Sequence, residues 1–156
     1  MLDVFKKRRS HRKYLSKAVE PEKITEILRA VMTAPSARHT RGWEFMLIKD
    51  PDQIKKLAAT KLHADFAKDS PALLVLCSKD WEYWVEDLSI VGGYVYLEAV
   101  NQGLGTCWVQ IFQSKTYDGS DAEKYVKKLL NIPGEIRVLC LMPLGYPSLQ
   151  IPEHDE

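Results

Sequence analysis

Apolar residues recur along the 156-residue chain in two rhythms, and their order predicts the fold class. Pro21 opens a segment where Ile24, Ile27, Leu28 and Val31 fall at i, i+3, i+4 and i+7, the stripe of a helix with one buried face. Ala34-Pro35 ends it, because proline disfavours helical geometry in its predecessor. Trp43–Ile48 is rich in β-formers and reads as a strand, and Asp50-Pro51 supplies the N-cap and first position of a helix through about Thr60. Residues 72–78 form a continuous apolar run, as a strand covered on both faces would.

Glu86 to Gln102 follow as a long helix with Gly103 as its C-cap. Gly92 and Gly93 sit inside it at roughly 1 kcal/mol each relative to alanine, so they need a reason, and close approach of another helix or of a ligand supplies one, a tight helix contact being the preferred reading. Thr106 to Phe112 read as a third strand, and Ile136 to Leu144 as the last. Ala122, Tyr125, Val126, Leu129 and Leu130 mark a helix between them. Helices and strands intermix without repeat or linker, which predicts one α/β or α+β domain, three layers deep, over residues 1–156.

Composition narrows the class. The chain is 46% hydrophobic and 28% charged, enough for a sizeable core. Its longest clean apolar run, Ala72–Cys77, is too short for a membrane span, and no signal-peptide pattern follows the basic start, so a cytoplasmic protein is expected. Cys77, Cys107 and Cys140 lie in apolar runs without CxxC spacing, and His11, His39, His63 and His154 are scattered, so neither a disulfide framework nor a metal site is expected. Net charge is only +1, yet residues 1–17 hold seven cationic side chains against Asp3 alone.

Two segments carry the candidate chemistry. Arg8-Arg9-Ser10-His11-Arg12 offers three guanidiniums and a hydroxyl, a set suited to a phosphate, and in an extended segment Arg8, Ser10 and Arg12 would face one way. The same residues would also serve as a frayed basic arm for nucleic acid. Ala34 to Trp43 is a helix exit rich in small and donor-bearing residues, either a simple turn or a ligand loop. Gly103-Leu104-Gly105 precedes a strand and lacks a third glycine, so the dinucleotide fingerprint fails. Trp81, Tyr83 and Trp84 read either as core packing or as a lid over a planar ligand.

Taken in order, RRSHRKY (8–14), APSA (34–37), Trp43-Glu44-Phe45, GLGTCW (103–108) and LGYP (144–147) resemble the nitroreductase-like family of FMN-dependent oxidoreductases, in a short form. The resemblance covers nearly the whole chain. It implies an α+β fold with a mixed central sheet flanked by helices, and a homodimer with FMN at the subunit interface, where the long helix and its two glycines would sit. Arg8, Arg9, Ser10 and Arg12 would hold the phosphate, the ribityl chain and the N1–C2=O edge. Pro35, Ser36, Ala37 and His39 would approach from the partner subunit, and Trp108, Val109, Gln110 and Ile111 would line the N5 side.

No side-chain acid or base is needed for hydride transfer, so no catalytic residue is assigned. An arginine near N1 would stabilise the negative charge of reduced flavin. The implied activity is NADH- or NADPH-driven reduction of nitroaromatics, quinones or similar flat acceptors in a ping-pong cycle. Reductive dehalogenation and flavin consumption are the alternatives within the resemblance. His39, Arg41 and Gly42 stand where the family has Asn, Gln and Pro, bringing an imidazole that titrates near neutrality to the ring edge. Family members commonly bring a basic pair near the C-terminus to the phosphate, whereas this sequence stops at Ile-Pro-Glu-His-Asp-Glu, so either the N-terminal arginines bind the phosphate alone or a tail is missing.

Overall fold

The computed structural model describes residues 1–155. In chain order these form α1 (Asp3–Lys7), α2 (Pro21–Met32), β1 (Trp43–Ile48), α3 (Pro51–Ala58), β2 (Ala72–Lys79), α4 (Trp84–Asn101), β3 (Gly105–Thr106), β4 (Val109–Gln110), α5 (Ala122–Leu130) and β5 (Ile136–Gly145). Two 3-10 segments, Ala37–His39 and Leu62–Asp69, lie between them.

The local chemistry behaves as its residue types dictate. Asp50 caps α3 by accepting the N–H groups of Asp52 and Gln53, and Asp121 caps α5 by accepting that of Lys124. Gly103 follows α4 with φ +71°, while the Leu104 N–H donates back to Ala99 O at 2.7 Å, so the expected glycine stop is present. Helix α4 begins at Trp84 rather than Glu86, drawing Trp84 into its buried face.

The sheet order is β1-β2-β5-β3, with β4 also on β5, and every strand pair is antiparallel. The sheet is thus antiparallel where a mixed one was expected, and the parallel contact beside it is an isolated bridge between Ser10 and Thr106 at the β3 edge. Alternation on the central strands builds two cores. Leu74, Leu76, Met142 and Leu144 pack with Ile27 and Val31 of α2 and Leu88, Val91 and Val95 of α4. Leu73, Val75, Val138 and Leu141 pack oppositely with Ile54 and Leu57 of α3 and Val126 of α5. This is the three-layer α+β arrangement. Among the described residues no helix is long and apolar enough to cross a membrane.

Candidate functional site

The basic N-terminal segment is docked, not frayed. Ser10 bridges Thr106, the His11 N–H donates to Thr106 O at 3.0 Å, Tyr14 bridges Pro147, and the Leu15 N–H donates to Tyr146 O at 2.9 Å. The crossing needs glycines: a Cβ on Gly105 would stand 2.7 Å from the His11 Cβ, and one on Gly145 would stand 2.7 Å from Pro71 and 2.9 Å from Tyr14. The family-like GLG and GYP motifs thus act here as clearances for residues 10–15.

Extended geometry sorts the pentad by side. The Ser10 hydroxyl lies 3.3 Å from the Tyr96 hydroxyl, Arg8 sits over the Tyr96 ring at 5.4 Å, and Arg12 reaches the Phe66 ring at 5.8 Å. Cys107 lies among them: burial raises its thiol pKa, while Arg12, Ser10, Tyr96 and Arg8 act against that rise. Arg9 turns the other way and donates to Pro152 O at 2.7 Å. It also helps, after burial and ahead of Arg8, to hold the His11 pKa below its ordinary value. No carboxylate among the described residues lies within 4 Å of Arg8, Arg9 or Arg12. Arg8 instead meets the imidazole of His154 at 2.9 Å.

The third expected strand is interrupted. Thr106 pairs with Leu144 and Val109 with Leu141, so the register runs straight through, but Cys107 and Trp108 leave the ladder. In that register Cys107 falls opposite Pro143, which has no N–H to give to the ladder, while the Trp108 N–H, on the side away from β5, donates to the Tyr96 hydroxyl at 2.7 Å. Beyond the break, Val109 and Ile111 turn their side chains into the α3/α5 core, so only their backbone remains for a ligand. The Ile111 N–H is bonded to Leu139 O, and the Gln110 carbonyl accepts Lys61 Nζ at 3.0 Å. Antiparallel alternation therefore points the Gln110 main chain towards the open sheet edge. Gln110 Oε1 accepts the Trp108 indole N–H at 2.7 Å.

Gly92 gains its reason within one chain. A Cβ there would lie 2.3 Å from the Trp108 ring, whereas one on Gly93 would meet nothing within 4 Å. The close contact is thus helix against indole, a correction to the helix-on-helix expectation, and Gly93 faces outward.

The 36–41 loop is a separate structure at the other end of α4. Arg38, His39 and Arg41 all have positive φ, at 51°, 58° and 47°, an uncommon cluster for residues with side chains. Ser36 Oγ accepts the Arg41 N–H at 3.0 Å, and Ser36 O accepts that of His39. Asp87, only 4% exposed, accepts the Ala37 N–H at 2.8 Å. Pro35 and His39 stay exposed. Asp87 and Tyr96 are nine residues apart, about 13 Å along a helix axis, so one chain does not bring the loop to the arginines.

The aromatic cluster divides. Trp84 is core, packed edge-on against Phe112 with Arg137 stacked at 4.7 Å. Trp81 and Tyr83 remain partly exposed, edge-to-face at 5.4 Å, and Arg38 reaches both Tyr83 and Glu82. A 520 Å³ cavity lined by Arg41, Gly42, Trp43, Lys79 and Trp81 opens beside them. Among the described residues no group of three or more His, Cys, Asp or Glu could hold a metal ion.

Sequence reasoning missed Tyr96 and Asp87. Asp87 carried a readable signal, since an acidic residue occupies the apolar stripe Trp84, Leu88, Val91, Val95. Tyr96 carried none beyond following Gly92 by one helical turn.

An antiparallel sheet with α2 and α4 on one face and α3 and α5 on the other, with three guanidiniums at its edge that face no carboxylate among the described residues, defines an α+β protein of three layers. The nitroreductase family model matches residues 5–75 and 57–146. An FMN-dependent nitroreductase from Clostridium difficile R20291 superposes with a TM-score of 0.96 at 33% identity, covering 100% of this chain and 92% of its own. A Methanothermobacter thermautotrophicus protein provisionally named NADH dehydrogenase/NAD(P)H nitroreductase is 33% identical over 153 residues, 95% of this chain and 78% of that protein. The iodotyrosine deiodinase of Thermotoga neapolitana is 25% identical over 180 aligned positions, 99% of this chain and 92% of its own. The chain belongs to the nitroreductase family of oxidoreductases.

Proposed function

We propose that the protein is an FMN-dependent oxidoreductase that takes electrons from NADH or NADPH and passes them to flat acceptors such as nitroaromatics or quinones. The observation that carries this reading is the meeting of Arg8 and Ser10 at Tyr96, with Arg12 two positions on, and no carboxylate within 4 Å of these guanidiniums among the described residues. Such a donor set fits a phosphate monoester with a hydroxylated chain. The family membership and the FMN-dependent relative support the same cofactor.

Bound FMN would supply two-electron redox chemistry. The chain's own residues would bind and orient it: Arg8, Arg9, Ser10 and Arg12 at its phosphate and polar edge, and the Trp108–Ile111 segment through the outward main chain of Gln110. Pro35, Ser36, Ala37 and His39 would close the site from a second subunit. The ~13 Å of helix axis between Asp87, which bonds the loop, and Tyr96, which meets Ser10 and Arg8, supports that division. So do the exposed apolar residues Leu2, Phe5 and Ile90 and the outward Gly93 on α1 and α4, which suit a homodimer interface. The cavity beside Trp81 would take the acceptor.

A second reading, reductive dehalogenation, draws on the deiodinase relatives. Their alignment spans 180 positions against 156 residues here, so they carry insertions this chain lacks. The absorbance spectrum of the purified protein, before and after NADH and NADPH added separately, tests the main reading. A yellow protein bleached by either donor supports it, and a colourless protein that takes up no added FMN overturns it. Products formed anaerobically from a nitroarene and from a halophenol separate the two chemistries.

A further inference from the structure

We infer that Asp87 is the positioning residue of the 36–41 loop: its carboxylate, set into the buried face of α4, holds the loop in the conformation that meets the cofactor. The inference deepens the flavin reading and rests on it for the second half of its test. Three observations converge. Asp87 is 4% exposed yet has no cationic side chain bonded to it among the described residues. Its contacts belong to the loop: the Ala37 N–H donates to Oδ1 at 2.8 Å, and the Thr40 hydroxyl, which donates to Ala37 O at 3.1 Å, lies 3.5 Å from Oδ2. The loop is one that does not hold itself, because three residues with side chains sit at positive φ within four positions.

Physical chemistry ties these together. Left-handed geometry is unfavourable for a residue with a side chain, and persists only where surroundings over-determine it. The internal bonds of the loop, Arg41 N–H to Ser36 Oγ and Thr40 N–H to Ala37 O, define a shape but do not attach it to anything. The Ala37 N–H to Asp87 bond makes that attachment, and a charged acceptor makes it strong. A carboxylate buried without a cation is costly, and here the Ala37 N–H and the place of Asp87 in the first turn of α4, at the positive end of the helix, offset that cost.

The position on α4 gives the attachment its meaning. The same helix carries Gly92, which seats the Trp108 ring, and Tyr96, which accepts the Trp108 N–H and meets Ser10. Loop and anion edge are thus registered on one rigid rod, each at a fixed height. In the proposed dimer the loop serves the partner's cofactor, so α4 fixes the distance between the two sites.

The test is hydrogen exchange of the 36–42 peptide in FMN-free protein, with FMN titration alongside. Asp87→Ala is expected to speed exchange there about ten-fold or more and to weaken FMN binding by a similar factor, the scale for losing a charged hydrogen-bond partner. Asp87→Asn keeps a carbonyl oxygen for the Ala37 N–H and is expected to stay within about three-fold of wild type in both. Leu57→Ala, which destabilises the opposite core, should leave exchange in 36–42 unchanged. Unaltered exchange in Asp87→Ala, or equal acceleration in Leu57→Ala, overturns the anchoring role. Faster exchange with unchanged FMN affinity overturns its service to the cofactor, and wild-type protein that binds no FMN overturns the flavin reading while the exchange result stands.

Discussion

The Trp108 ring lies so close to the Gly92 backbone that a Cβ built there would stand 2.3 Å from its Cζ3. Neither partner can retreat easily, because the Trp108 N–H is bonded to Tyr96 and its indole N–H to Gln110. Gly92→Ala is therefore expected to destabilise by about 1–3 kcal/mol, the range for overpacking a buried contact, although alanine is the better helix former. Urea unfolding followed by tryptophan fluorescence measures it, and an unchanged midpoint would show that the indole repacks freely.

Tyr96→Phe deletes a hydroxyl that accepts one N–H and meets Ser10, leaving the Trp108 amide without its partner. The expected loss is about 1–2 kcal/mol of stability. FMN retention should fall with it if the break at Cys107–Trp108 shapes the site. Stability and flavin titration on the same sample report the two effects separately.

Arg8→Ala or Arg12→Ala is expected to weaken FMN binding by about 1.5–3 kcal/mol, the scale of one charge-assisted hydrogen bond. Stability should change little, since neither guanidinium pairs with a carboxylate in the described fold. Wild-type titration curves in both variants would move the phosphate site elsewhere.

His11 supplies a pH dependence. Burial first, then Arg9 and Arg8, hold its folded-state pKa below the ordinary 6.5. The unfolded chain therefore takes up the proton more readily, so stability present above 6.5 erodes as pH falls from there towards the folded value. Urea midpoints at about pH 7.5 and about pH 5 should show a steeper drop for wild type than for His11→Gln, whose side chain does not titrate. Identical slopes would remove His11 from the account.

All three thiols are buried, and burial pushes Cys77 up to about 12 and raises Cys107 and Cys140 as well. Thiolate is the reactive form, so native protein should give almost no reaction with a disulfide reagent at neutral pH. Denatured protein should release all three. Rapid native labelling of one thiol would point to an opening of the edge around Cys107.

Much of the fold was legible because its signals are local. Trp43–Ile48 coincides with β1, the caps at Asp50 and Gly103 are where residue chemistry placed them, and the double-faced strand at 72–78 extends only to Lys79. What stayed hidden depends on partners distant in sequence. The Thr106–Phe112 strand splits where its register brings Cys107 opposite Pro143, and periodicity within one segment has no means of registering what lies across from it. The reason for Gly92 was readable as close approach, but not that the approaching group is Trp108. The alternation of Arg8, Ser10 and Arg12 did predict one face, which Ser10 and Arg8 meet at Tyr96. Arg9, on the opposite side, is turned to Pro152.

The docking of the first fifteen residues also orders events in time. Ser10 finds Tyr96 across 86 residues of chain, and Arg8 finds His154 across 146. These contacts rest on the sheet edge through a few bonds, the kind of attachment that opens locally before paired central strands part. Such an opening, with β1, β2 and β5 still paired, would give the FMN proposed for this edge a route in and out without unfolding the protein.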